Sequence, residues 1–516
     1  MRVYDPARNA SLALGVLPSG NADSSIDIQS GGGAWQGRIE CSYAPGFVLL
    51  PGASMESDPL WFCMDAPPVV ADAQYAWLLR YYCRTDTMKH APRAWVTIPD
   101  TNGLAALRRE AAAARAMGVS HALIPGNWEG RPGSHEGGAP QYPRKIGDAA
   151  RSLRDAGSVP GITLDPLLAD SGSNDFTTQS VDGRGWVNLG ANDGRAYAVK
   201  RMRRLADSGF GFFVIDESQI PDEVLRAFNL TRAQARTLAF DVAREAVASL
   251  PVAVFPAAVA TLDAGRDEWL EAAGALSRMA ELTIAPGPVR IRSGKESVLD
   301  AETVLALRLW RGPIEFVGAP SRSMQSKLSE IFSGKPLVAR PQDAYRRNPL
   351  TWLMRYDNSA IGNVGATILS FTGADPWGMA QVELFGDESS PGVLWRPEKD
   401  KPLVEAEGVL PPASRFIAHG LLAKASQPLF AGTTEEITLG LNRLKRLDWD
   451  GGRNTLTGAL EPAPGVSSAF FFMPGDLTLR SARVNSKQTR PVVEGQWITL
   501  PVGSGGGAFE LIFETR

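Results

Sequence analysis

Carboxylates, arginines and tryptophans are the side chains of this sequence best placed to do chemistry. Its 516 residues hold 56 Asp and Glu, 53 Lys and Arg and 13 Trp, against 4 His and 3 Cys. Cys41, Cys63 and Cys83 stand far apart, with no CxxC pair and no disulfide framework. His90, His121, His135 and His419 include no i, i+4 pair, so an HExxH metal helix is absent. No metal and no cofactor are expected. What remains is acid–base and nucleophilic work by paired carboxylates. One attacks an anomeric carbon or activates water, and the other, kept protonated, donates to the leaving oxygen. Tryptophan faces would pack against the C–H faces of sugars.

Such groups must be gathered by a fold. From about residue 92 the pattern is strand, loop, helix, repeated. Strands are expected at 93–98, 120–125, 159–164, 210–215, 252–255, 281–284, 313–317 and 365–371. The run Phe210-Gly211-Phe212-Phe213-Val214-Ile215 is apolar throughout, as a parallel strand buried on both faces requires. Helices between them end at Gly118, Gly157 and Gly209, the residue type that follows a helix end. Eight strands with intervening helices predict a (β/α)8 TIM barrel over 92–385. A doubly wound sheet is the alternative, but Pro99-Asp100-Thr101-Asn102-Gly103 is no Gly-rich phosphate turn.

Barrel enzymes place their chemistry at the C-terminal strand ends. Those ends offer Asp100; Asn127, Trp128 and Glu129; Asp165 and Asp170; Asp216 and Glu217; Asp263 and Arg266; Glu281 and Arg290; Glu315 and Arg322; Asp375 and Trp377. Asp216 is the sharpest, because it follows an apolar run directly; a helix cap or loop acid is the competing role. Glu217 points the other way and reads as a rim residue. Glu281 is the candidate partner acid, and an ion pair with Arg278 or Arg290 is as good a reading. Glu315, between Ile314 and Phe316, reads as an interior acid paired with an arginine. Trp128 reads equally as sugar platform or as core. Asn127, Glu129, Asp165, Asp263, Arg290 and Trp377 complete the candidate substrate-binding set.

The remaining chain frames this barrel. Residues 1–91 read as a β-rich segment and a lead-in helix, 386–427 as a linker and a last helix, and 428–516 as a small antiparallel β-sandwich with turns every 8–12 residues. The 52 Gly and 37 Pro are spread over loops and turns. A net charge of −3 argues against a nucleic-acid partner. The apolar runs are too short to cross a membrane as helices. Unpaired cysteines and the absence of a leader point to a cytoplasmic protein, although a chain whose leader had been removed would read the same. A homo-oligomer is left open.

Several stretches resemble the α-galactosidase-like glycoside hydrolases of family 36 and their clan D relatives. Arg93-Ala94-Trp95 matches the Trp of their first barrel strand. Leu123-Ile124-Pro125-Gly126-Asn127-Trp128 stands where the family has an apolar strand and then Asp-Asp-Gly-Trp. Gly161-Ile162-Thr163-Leu164-Asp165-Pro166 is similar to its Gly-Leu-Trp-x-x-Pro. Asp193-Gly194-Arg195 and the strand ending at Asp216 resemble the helix and strand that deliver the nucleophilic Asp. The resemblance spans roughly 90–516. It implies that Asp216 is the nucleophile and Glu281 the nearest acid to the acid/base position, with Thr283 in an alternative alignment. The family's Asp pair is replaced by Pro125 and Gly126, and its Lys two residues before the nucleophile by Val214. Galactose hydroxyls would lose their partners there. The expectation is therefore a retaining glycoside hydrolase or transglycosidase acting on an α-linked oligosaccharide or glycoconjugate other than a plain α-galactoside. The alternative is a catalytically inactive carbohydrate-binding protein on a hydrolase scaffold. A barrel aldolase or isomerase ranks last, since no strand end carries a Lys.

Overall fold

In the computed structural model the described residues are chiefly 2–66, 92–261, 288–292, 313–321 and 427–516, each with short omissions, together with helical residues within 70–79 and the strands between 338 and 419. The chain divides into two compact units. One comprises Met1–Gly265, Arg278–Glu296 and Arg311–Ser321; the other comprises Arg266–Ser277, Ser297–Trp310 and Arg322–Arg516.

The first unit is built on a curled, all-parallel sheet. Its strands are β1 (Ala94–Thr97), β2 (His121–Ile124), β3 (Val159–Leu164), β4 (Phe212–Ile215), β5 (Ala253–Pro256, resuming at Ala260–Thr261), β6 (Val289–Arg292) and β7 (Ile314–Val317). The spatial order runs from Ala253–Pro256 through β4, β3, β2, β1, β7 and β6 to Ala260–Thr261. The two edges are thus carried by one stretch of chain. The four peptide steps between them span at most about 14 Å, so the sheet bends round on itself like a barrel.

Helices α1 (Gly103–Arg115), α2 (Ile146–Asp155), α3 (Asn192–Asp207), α4 (Asp222–Phe228) and α5 (Arg232–Val247) connect the strands. Local sequence sets their limits. Gly118 at φ +88° and Gly209 at φ +99° turn the chain in the left-handed region after α1 and α3. Thr231 caps α5 through a reciprocal pair. Its hydroxyl accepts from Gln234 N at 3.0 Å, and the Gln234 side chain accepts from Thr231 N at 3.0 Å. The short helix α4 was not foreseen; Asp222 and Glu223 occupy its first turn.

The register fixes which side chains face the inside. Thr97 shares a face with Trp95, and each paired residue round the sheet continues that face. The lower interior is a packed cluster of Trp95, Leu123, Phe212, Val214, Ala253 and Phe255. Trp95 meets the rings of Phe212 and Phe255 at 5.2 and 5.5 Å. Gly161, paired with Phe212, leaves the space that the Phe212 ring fills: a methyl group at Gly161 would come within 2.2 Å of it. Gly161→Ala is therefore expected to destabilise the first unit by about 1–3 kcal/mol. Urea denaturation checks this, and a Gly161→Ala, Phe212→Leu double variant should recover part of the loss; no loss in the single variant would contradict this packing.

One expectation is corrected. Among the described residues the parallel sheet does not include the expected eighth strand. The expected eighth strand, 365–371, is Val364–Ser370, which pairs antiparallel with Thr351–Arg355 and with Arg415–His419 in a six-stranded antiparallel sheet. No slot exists for it between β7 and β1, which bond directly to each other through Ile314↔Ala94 and Val317↔Thr97. An apolar run reads alike in either kind of sheet, so the sequence pattern could not separate them. The expected strand 281–284 lies outside the described residues; Val289–Arg292, not foreseen as a strand, pairs with β7. Its Val-Arg-Ile-Arg alternation hides a parallel strand, because two arginines face inward while Val289 and Ile291 are buried on the other side.

Ahead of the barrel, Arg2–Asp5, Ala10–Val16 and Leu60–Ala66 form a three-stranded antiparallel sheet, and Asp23–Gly31 pairs with Ala34–Ser42. The described residues within 70–79 are helical. After residue 427, a four-stranded and a five-stranded antiparallel sheet bury one common core that includes Phe430, Phe470, Phe471, Leu500, Phe509 and Leu511. Among the described residues no helix is long and apolar enough to cross a membrane.

Candidate active site

A cavity of about 850 Å³ opens at the C-terminal ends of the parallel strands. Its lining follows from the register. Thr97, Thr163, Arg290, Arg292 and Glu315 are inward-facing residues, and Asp216 continues the inward face of Phe212 and Val214. Asp216 stays in line with its strand because its N–H donates to Leu164 O at 3.0 Å, one ladder step beyond β4. The side chain is exposed, and a methyl group at Gly126 would sit 3.9 Å from its Oδ2. Gly126 thus lies next to the carboxylate in the cavity wall.

Arg290 grips Glu315 through two bonds, Nε to Oε2 at 3.0 Å and Nη2 to Oε1 at 3.3 Å. Glu315 is 3% exposed. Burial pushes its carboxyl above the usual range, and Arg290 opposes that shift. The two-point grip on the carboxylate favours the ion pair. The interior acid paired with an arginine is thus what the structure shows. Glu110, from α1, accepts from Ala319 N at 2.9 Å and ties the loop after β7 to the helix. Arg109 lies beside it, Nε 3.7 Å from Oε1.

The other sequence candidates fall into three groups. Asn127 is exposed next to the lining residue Gly126. Trp128, Glu129 and Asp165 are structural. Trp128 is 1% exposed, and its indole N–H donates to Thr163 O at 2.8 Å, so it offers no face to a sugar. Glu129 folds the loop behind it by accepting from Gly133 N at 2.6 Å and His135 N at 2.8 Å. Burial raises its carboxyl, against those two N–H groups and Arg201. Asp165 is buried and accepts from Leu167 N at 2.9 Å, closing the turn after β3. None of these three lines the cavity. Asp263, Glu281 and Trp377 lie outside the described residues. Sequence reasoning missed Arg292, Arg109 and Glu110. For Arg292 the signal was the Val-Arg-Ile-Arg alternation. Among the described residues no group of His, Cys, Asp and Glu could hold a metal ion.

At the other end of the barrel, His121 stands edge-on to Phe212 at 5.8 Å, and burial lowers its pKa to about 4. Between the unfolded value of about 6.5 and 4, the unfolded chain holds a proton that the folded chain rejects. Its contribution to stability is therefore intact above pH 6.5 and lost as the pH falls towards 4. His121→Leu is expected to flatten the stability curve over that window by about 1–2 kcal/mol, allowing for its partial exposure. Urea midpoints at pH 7 and pH 4.5 measure it; parallel curves for wild type and variant would contradict it.

A search of solved structures gives an α-galactosidase from Lactobacillus brevis at a TM-score of 0.50, with 10% identity over 81% of this chain and 67% of that one. The fold is that of the α-galactosidases. The GH36 α-galactosidase AgaA from Geobacillus stearothermophilus also matches, with 10% identity, 80% and 67% coverage and a TM-score of 0.48. So does an α-galactosidase from Thermus thermophilus, with 14% identity, 68% and 78% coverage and a TM-score of 0.44. No protein-family model matches the sequence, and no curated protein does. The likeness is one of fold, and an α-galactosidase fold by itself leaves the chemistry to the site.

Proposed function

We propose that the protein is a retaining glycoside hydrolase acting on an α-linked oligosaccharide or glycoconjugate, with Asp216 as its nucleophile. The observation that carries this reading is the exposed Asp216 carboxylate, facing inward at the end of β4 in a cavity at the C-terminal mouth. There it would attack the anomeric carbon as the glycosidic C–O bond breaks and the leaving oxygen takes a proton. Water would then attack the glycosyl ester, return a proton to the same donor and free Asp216.

The proton donor is a separate group. Glu315 is unsuited to it, because Arg290 occupies both of its oxygens. Glu281, on the chain that leads into β6, is the proposed acid/base. Pro125 and Gly126 line the cavity where the α-galactosidase pattern has its Asp pair, so the substrate is proposed to differ from a plain α-galactoside.

Turnover of a panel of aryl α- and β-glycosides, with the anomer released first read by NMR, tests the reading. Release of the α-anomer from an α-glycoside supports retention. A β-anomer as first product overturns it. Binding of a glycan without any turnover of the panel would favour the inactive carbohydrate-binding protein. Turnover that survives Glu281→Gln unchanged would remove that residue from the mechanism.

A further inference from the structure

The Arg290–Glu315 pair sits at the floor of the cavity. Both residues are level in the register with Trp95, whose ring closes the lower interior against Phe212 and Phe255. Leu123 and Val214 of that apolar cluster line the cavity along with the pair. An ion pair set among apolar side chains is a poor source of stability, because two well-packed apolar residues would serve as well or better. The pair therefore calls for a role beyond packing.

Its two members are unequally placed. The Glu315 side chain is 4% exposed and that of Arg290 39%. Both Glu315 oxygens accept from Arg290, through its Nε and Nη2. The guanidinium keeps further N–H donors on Nη1 and Nη2, and among the described residues nothing accepts from them. These donors form the end of the fork, on the member of the pair that is open to the cavity. Glu315 also sets the charge. With the carboxylate against it, Arg290 offers hydrogen bonds without a net positive charge, so the pair does not oppose the charge that grows on a sugar ring as its glycosidic bond breaks. At the end of β2, Pro125 and Gly126 supply no side-chain acceptor or donor. Recognition of hydroxyls then falls to the donors on β6.

We propose that Arg290 is a specificity-determining residue for an uncharged sugar: the free end of its guanidinium donates to two adjacent hydroxyl oxygens of the sugar bound at Asp216, while Glu315, which touches no substrate, holds the fork and balances its charge. Arg290 reads the sugar, and Glu315 is a positioning residue. A planar fork with its plane fixed by a carboxylate matches two neighbouring oxygens better than a single flexible donor does. The inference rests on the proposed glycosidase reading and adds the class of sugar to it.

Removing sugar hydroxyls one at a time tests it. The probes are p-nitrophenyl α-D-glucoside, α-D-galactoside and α-D-mannoside, their monodeoxy analogues, and p-nitrophenyl α-D-glucuronide. On the best neutral parent, wild type is expected to lose about tenfold or more in kcat/KM at each of two adjacent hydroxyls. In the double variant Arg290→Met, Glu315→Gln, which leaves no lone buried charge, those two losses should shrink to about threefold or less while losses at other positions persist. Arg290→Lys keeps the charge without the fork and should shrink at least one of them. Deoxy losses equal in wild type and in both variants would overturn the contact, and a preference for the glucuronide over the glucoside would overturn the uncharged sugar. Glu315→Gln alone uncovers the guanidinium charge, so kcat should fall about tenfold with KM within about threefold of wild type. An unchanged kcat would overturn the role of Glu315. Calorimetry of Asp216→Asn with the methyl α-glycosides of the same sugars reads binding without turnover. Binding that weakens at the same two hydroxyls supports the inference, and no binding of any of them overturns it. That binding pattern without turnover of any aryl glycoside by wild type would instead overturn the hydrolase reading and leave the Arg290 contact standing.

Discussion

Asp216→Asn is expected to lower kcat by at least about 10³-fold, a loss of about 4 kcal/mol of transition-state stabilisation. The amide keeps the shape of the side chain but removes the charge that forms the bond to the anomeric carbon. Stability should change by no more than about 0.5 kcal/mol, because the side chain is exposed and the backbone N–H to Leu164 O is untouched. Steady-state kinetics and thermal melts of the same preparation separate the two effects. The smaller Asp216→Gly leaves room for an external anion. With azide it should regain turnover of an activated aryl glycoside and yield a glycosyl azide of inverted configuration. Near-wild-type turnover of Asp216→Asn would sink the assignment, and inactivity with a collapsed melting curve would make Asp216 a structural acid.

The second large effect is one of stability, in the antiparallel sheets after residue 427. Arg443 and Glu435 are buried there with side chains 2% and 1% exposed, and Arg443 Nε and Nη2 lie 2.7 and 2.6 Å from Glu435 Oε1. Removing one partner leaves an uncompensated charge in a low-dielectric core. Arg443→Leu is expected to cost about 3–5 kcal/mol. The paired change Glu435→Leu, Arg443→Leu should recover most of it, since two apolar side chains need no partner. Urea denaturation of the four proteins gives the coupling energy. A single variant within about 1 kcal/mol of wild type would show that water reaches the site or that the pair relaxes.

Much of the barrel half of this molecule was legible before any coordinates. The helices expected to end at Gly118, Gly157 and Gly209 are found at Gly103–Arg115, Ile146–Asp155 and Asn192–Asp207. Apolar periodicity, a capping Thr and terminating glycines are local signals, and local signals survive in any tertiary context. Strands β1 to β4 and β7 were equally visible as apolar runs. The site was legible in part. Asp216 stood out because a carboxylate ends an apolar strand, and Arg290 because it followed one in the expected order. Trp128, Glu129 and Asp165 could not be told from ligand-binding residues, since a buried indole donating to Thr163 O and an exposed one have the same neighbours in sequence.

The sequence by itself determined the type of most elements, the parallel character of the first sheet, the poverty in metal-binding residues and the position of one inward carboxylate. Each of these follows from residue type and near-neighbour periodicity. Only the tertiary structure decided that Val364–Ser370 pairs in an antiparallel sheet while β7 bonds directly to β1. Only the tertiary structure placed the Arg290–Glu315 pair and Arg292 beside Asp216 in one cavity. Strand pairing joins residues far apart in the chain, and neither its partners nor its register is written in the spacing of either strand alone.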